Sequence, residues 1–151
     1  MPVPPVQSRY LFRKKTGWID DITLIHRFGN DFTLLHTVGN AKHACPELLM
    51  FIPPHKEQMF SYALQEISRF MRQTGAMPEP GRPMTVHNWK FCPVLMDHIF
   101  IALYAPLALH STHQSEDVKM FQLHIPDLEG LYPHEPGYDI NFLYQPVLKC
   151  H

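Results

Sequence analysis

Glu47 to Gly75 reads ELLMFIPPHKEQMFSYALQEISRFMRQTG, and two different hydrophobic periods meet inside it. From Leu48 to Ile52 the chain is continuously apolar over a strand's length, which predicts a strand. Pro53 and Pro54 end that run, because proline lacks the N–H that a ladder needs. Beyond them Met59, Phe60, Ala63, Leu64, Ile67, Phe70 and Met71 recur at steps of three and four, which predicts an amphipathic helix of about five turns over 55–74. Gly75 stands where a C-cap glycine belongs, with Arg69 and Arg72 near the negative end of the helix dipole. Burying each large side chain of the stripe is worth about 1.5–3 kcal/mol. The helix therefore packs on a sheet, and its methionines and aromatics are core.

Working toward the N-terminus, Trp18 to Phe28 (WIDDITLIHRF) and Phe32 to Val38 (FTLLHTV) alternate as strands, and Gly29-Asn30-Asp31 between them makes a hairpin. His36 shares a strand face with Phe32, Leu34 and Val38, so it reads as an inward-facing, hydrogen-bonded histidine, with a ligand role as the alternative. Residues 1–17, with Pro2, Pro4, Pro5 and the basic Arg9, Arg13, Lys14 and Lys15, read as a solvated arm ahead of a single domain over 18–151.

Toward the C-terminus, 76–83 is a loop and Met84 to Trp89 a short strand. Cys92 to Tyr104 reads as a longer strand on its Val, Ile and Phe content, with a helix as the alternative. A short helix within 105–118 would set His110 and His113 one turn apart. Met120 to Ile125 is a strand, and Phe142 to Leu148 a last, peripheral one. The expected fold is α+β: a largely antiparallel sheet of five to seven strands packed against one long amphipathic helix.

Composition narrows the function classes. The 151 residues suit one domain with a substantial core, 45% of them being hydrophobic. Thirteen basic residues against fourteen acidic ones leave no electrostatic footprint for nucleic acid. The start of the chain has prolines and charges where a signal peptide would be apolar, and the longest apolar run, Ile99 to Leu109, is broken by Pro106. A soluble, cytoplasmic protein with no membrane partner is expected. The three cysteines, Cys45, Cys92 and Cys150, form no CxxC pair and fit a reducing compartment.

Candidate site residues concentrate in Lys119 to Pro146, KMFQLHIPDLEGLYPHEPGYDINFLYQP. Its prolines and glycines either only steer the chain around the end of a sheet, as most turns do, or shape a loop that holds Asp127, Glu129, His134, Glu135 and Tyr138 in set directions. Asp127 and Glu135 suit turn capping, with acid/base work as the alternative. Exposed Tyr132 and Tyr138, joined by Trp89 if it lies near, would anchor an interface. Eleven histidines invite a metal reading through His43, Cys45 and Glu47, completed by His124 and Asp127, yet the spacing matches no zinc signature, so neither metal nor cofactor is assigned. Cys45 beside His43 is the one local thiol–imidazole pair suited to nucleophilic catalysis.

The segments HTVG (His36 to Gly39), PELLMFIPP (Pro46 to Pro54), FQLHIPDLEGLYPHEPGY (Phe121 to Tyr138) and QPVL (Gln145 to Leu148), in that order, resemble the bacterial family called domain of unknown function 4262. This chain departs from that family's pattern at His36 (tyrosine there), Asn40 (leucine), Cys45 (histidine) and His134 (tryptophan). The resemblance implies no activity. The strand, Pro-Pro and helix layout is also distantly similar to Suppressor-of-fused-like domains, which include toxin-immunity proteins. The function expected is a non-catalytic binding or protein-interaction module, immunity-like in its concrete form, with another protein as partner and His36, Glu47, Asp127, Tyr132, His134, Glu135 and Tyr138 as binding residues. The alternative is a small enzyme, metal-dependent or not, whose pocket is lined by His36, Glu47, Asp127 and Glu135.

Overall fold

The computed structural model describes residues 7–12, 22–28, 32–110 and 119–149. Seven strands, β1 (Gln7–Phe12), β2 (Ile22–Phe28), β3 (Phe32–Val38), β4 (Glu47–Ile52), β5 (Met84–Val86), β6 (Trp89–Leu95) and β7 (Met120–His124), form one sheet in the order β1-β2-β3-β4-β7-β6-β5. Only β4 and β7 pair in parallel, Glu47 lying opposite Met120 and Leu49 opposite Gln122. Every other neighbouring pair is antiparallel. The expected α+β domain with a largely antiparallel sheet is what the chain forms.

The alternation of side chains along a strand divides the core. Leu35, Leu48, Met50, Ile52, Phe91, Phe121 and Leu123 face helix α1 (Glu57–Thr74), which buries Phe60, Leu64, Ile67 and Met71 against them. Leu34, Leu49, Phe51 and Met120 face the other way, onto helices α2 (His98–Tyr104) and α3 (Pro106–His110) and onto Leu148. The central strands are thus covered on both sides, which is why β4 is apolar without a break.

Helix α1 ends as its sequence predicts. Gly75 sits at φ +74° and its N–H donates to the Met71 carbonyl at 2.9 Å. A Cβ there would meet no atom within 4 Å, so only backbone conformation opposes a side chain. Gly75→Ala is expected to lower stability by about 1–2 kcal/mol, checked by urea unfolding, because a left-handed alanine lacks glycine's freedom.

Three expectations are corrected. Cys92 to Tyr104 is not one strand: β6 stops at Leu95, and the Asp97 carbonyl accepts from the N–H groups of Phe100 and Ile101 to open α2. Its β-branched and aromatic content favours a strand. The spacing of Ile101, Ala105 and Ala108 fits the second core better, and packing decides over propensity. Phe142 to Leu148 forms no strand. Pro146 has no N–H to donate, and the segment is held instead by glutamine side chains. Gln145 accepts from the Ile125 N–H at 2.7 Å and donates to its carbonyl at 2.9 Å, while Gln122 accepts from the Leu148 N–H at 3.0 Å and donates to the Pro146 carbonyl. Each primary amide thereby does the work of a ladder peptide. Thirdly, the stretch read as an N-terminal arm contributes β1, paired with β2; Tyr10, Leu11 and Phe12 favour a strand there once the prolines are passed. The rest of the arm, the hairpin loop, His113 and Cys150 lie outside the described residues.

Candidate functional site

The loop that follows β7 is built around one carboxylate. Asp127 Oδ1 accepts from the N–H groups of Glu129 and Leu131, both at 2.9 Å, and Oδ2 accepts from the Asp139 N–H at 2.9 Å. Backbone bonds Asp127 N–H to Leu131 O and Gly130 N–H to Asp127 O, at 2.8 and 2.9 Å, close the same turn. These donors favour the ionised form and hold the Asp127 carboxyl below its ordinary pKa, the Asp139 N–H foremost among them. Further along, Glu135 Oε1 accepts from the Tyr132 N–H at 3.0 Å. Tyr138 donates its hydroxyl proton to the Leu143 carbonyl at 3.0 Å and accepts from Gln145 at 2.8 Å. Gly137 adopts φ +90°, where a Cβ would stand 3.3 Å from Leu131 Cδ1, so glycine suits both the turn and the packing.

Beneath this loop lie two side chains whose pairing only the sheet reveals. In the antiparallel register of β6 and β7, Cys92 is directly opposite His124. Opposed residues point to the same face with Cβ atoms about 4.5–5.5 Å apart. Both are buried, and among the described residues neither ring nitrogen of His124 has a hydrogen-bond partner of good geometry. Burial pushes the Cys92 thiol above its ordinary pKa, with the Glu135 carboxylate adding to the rise. Burial likewise lowers His124 to about 4; the Pro146 carbonyl opposes the shift and His134 reinforces it. The two shifts both favour uncharged forms. A thiol nucleophile works as the thiolate beside an imidazolium, so this pair is set against nucleophilic chemistry. Tyr132, also buried, stacks on His134 with ring centroids 6.2 Å apart and feels both Cys92 and Glu135 electrostatically. Tyr132, His134 and Glu135 thus gather over Cys92 and His124.

His36 and Glu47 belong elsewhere. β7 starts beside Glu47 and runs away from it in parallel, so Asp127 lies about seven residues, or roughly 20 Å, further along. Glu47 is fully enclosed at the β3–β4 connection. Its carboxylate accepts from the Thr37 hydroxyl at 2.7 Å and from the N–H groups of Gly39, Asn40 and Ala41 at 3.2, 3.2 and 3.0 Å, the last three opening the 3₁₀ turn Asn40–His43. The Asn40 side chain carries the network to Pro46 and to Ser68 of α1. His36 is buried in β3, opposite Leu49, with Nδ1 3.1 Å from the Thr37 carbonyl. The four residues of the enzyme alternative therefore do not share a pocket: Asp127 and Glu135 lie in one loop, His36 and Glu47 toward the other end of the sheet.

The metal reading through His43, Cys45 and Glu47 finds Glu47 committed to its four donors and the Cys45 thiol pointed at the His43 carbonyl, 3.5 Å away. Among the described residues no group of three or more His, Cys, Asp or Glu side chains is arranged to hold a metal ion, and no helix is long and apolar enough to cross a membrane.

The interface anchors expected from the sequence are also revised. Tyr132 is buried, Tyr138 is half-buried and spent on internal hydrogen bonds, and Trp89 packs beside Phe60 on the α1 side, the face opposite Cys92. The loop offers aliphatic side chains instead: Leu128 is 91% exposed and Ile140 82%. They follow Asp127 and Asp139 in the chain, whose backbones the Asp127 carboxylate ties together. No local sequence pattern marks either side chain as exposed. Compared with family models, with curated proteins and with solved structures, the chain matches none.

Proposed function

We propose that this protein is an interaction module that binds another protein through the loop over 126–146. The observation that carries the reading is Leu128 and Ile140 standing almost fully in water on a backbone that Asp127 fixes. Single exposed aliphatics are ordinary on protein surfaces. Two of them on adjoining, hydrogen-bonded turns are different, because a frame ordered before binding spares the entropy that a floppy loop would lose on docking. Removing such apolar side chains from water on docking contributes about 25 cal/mol per Å² of area covered. An immunity-like protein would be one instance, its partner a toxin. The buried, neutral Cys92 and His124 and the fully engaged Glu47 favour binding over turnover.

Photo-crosslinking residues placed singly at 128 and 140 test this, with position 62 as control, since Tyr62 is exposed on α1. In the cells that naturally contain the protein, positions 128 and 140 are expected to yield the same discrete protein adduct and position 62 none. Asp127→Ala, which frees the frame, should weaken the adduct while the circular dichroism of the domain persists. Absence of an adduct at both loop positions, or the same adduct from position 62, sinks the reading.

A further inference from the structure

We infer that the partner segment seated on this loop is basic as well as apolar: a lysine- or arginine-bearing peptide stretch with large aliphatic or aromatic side chains. The inference rests on the docking role proposed above. Between Pro126 and Pro146 the chain carries Asp127, Glu129, Glu135 and Asp139 and neither lysine nor arginine. The whole chain has a formal charge of −1, so the remainder is net positive and the loop stands out in sign as well as shape. Asp127 is spent on its N–H donors, but Glu129 and Asp139 are exposed and directly neighbour Leu128 and Ile140. Asp139 Oδ1 accepts from the local Asn141 N–H at 3.0 Å, which fixes the side chain's direction. Each protruding aliphatic thus has an exposed acidic residue next to it in the chain.

That arrangement selects against most partners. An acidic segment would bring like charges together as the apolar contact closed, and a purely apolar one would strip water from two carboxylates with nothing to replace it. A cationic head on a long aliphatic stem satisfies both demands, its methylenes lying along Leu128 or Ile140 and its charge meeting Glu129 or Asp139. The same field would steer such a segment toward the loop over about a Debye length, roughly 8–10 Å near physiological salt.

A random peptide library displayed on phage, selected on the full-length protein and counter-selected on the Leu128→Ser/Ile140→Ser variant, tests the inference. Enriched peptides are expected to be net positive with paired large apolar residues, to bind the double variant at least about tenfold more weakly, and to weaken also on Glu129→Lys and with added salt. Enriched peptides that need Leu128 and Ile140 but are neutral or acidic would overturn the basic partner and leave the interaction role standing. A selection in which no peptide distinguishes the double variant from the native protein would overturn both.

Discussion

Glu47→Ala is expected to cost about 3–5 kcal/mol of unfolding free energy, because it leaves buried backbone donors without an acceptor. The wild-type carboxylate has four donors, and all lie at a connection where Thr37, Gly39 and Asn40 are buried. Removing the acceptor strands three N–H groups, each worth about 1–3 kcal/mol when buried without a partner, though the half-buried Ala41 can turn to water. The Thr37 hydroxyl keeps other work, since it accepts from the Leu48 N–H at 3.0 Å. Glu47→Gln should fall between, because one amide oxygen remains while the NH2 group is aimed at donors. Burial pushes the Glu47 carboxyl above its ordinary pKa and the Thr37 hydroxyl and the three N–H groups pull it back. Every partner is a donor, so the arrangement fits the carboxylate. Urea midpoints for the two variants check the order, and a loss under about 1 kcal/mol for the alanine would mean that the connection rebuilds itself without an acceptor.

What could be read from the sequence follows from which forces are local. Helix α1 and its Gly75 cap are written in spacing and in one residue's conformational freedom, and strands β2, β3 and β4 in alternation or unbroken apolarity. Asp127 as a turn organiser was likewise legible, because the Asp-x-x-Gly order and the loop prolines act over a few residues. The second core was not. Its helix α2 is short and rich in residues that suit strands, and its place on the far face depends on β7 entering between β4 and β6, which no local pattern encodes. The same crossing sets Cys92 opposite His124 and decides that Tyr132 turns inward while Leu128 turns out. In a loop of prolines and glycines, an aromatic that anchors an interface and one that seals the loop to its own sheet look identical in sequence.

His124 gives the second large effect, one seen only as pH changes. The ring is 1% exposed and its pKa falls from 6.5 to about 4, chiefly through burial. The unfolded chain therefore takes up a proton between these values that the native protein refuses, and stability rises with pH wherever the unfolded state binds more protons. This residue's contribution is complete above about pH 6.5 and is lost as pH falls toward 4. The loss totals about 3 kcal/mol, because each tenfold difference in proton affinity between the two states is worth about 1.4 kcal/mol. Asp127 stabilises with the same sign but in a different window. Its folded pKa lies below the ordinary value of 3.8, so its share is still held at pH 4 and goes only in stronger acid. His124→Leu removes the first loss and leaves the second, so urea unfolding at pH 7, 5.5 and 4 should show the native protein falling by about 3 kcal/mol more than the variant. The loosening should start where the ring is enclosed. The Ile125 and Leu148 N–H groups, bonded to Gln145 and Gln122, are expected to exchange faster at pH 5 in the native protein than in the variant, after correction for intrinsic rates. Parallel pH profiles for the two proteins would show that the imidazole takes up its proton in place, with the glutamine-held strap and the loop above it undisturbed.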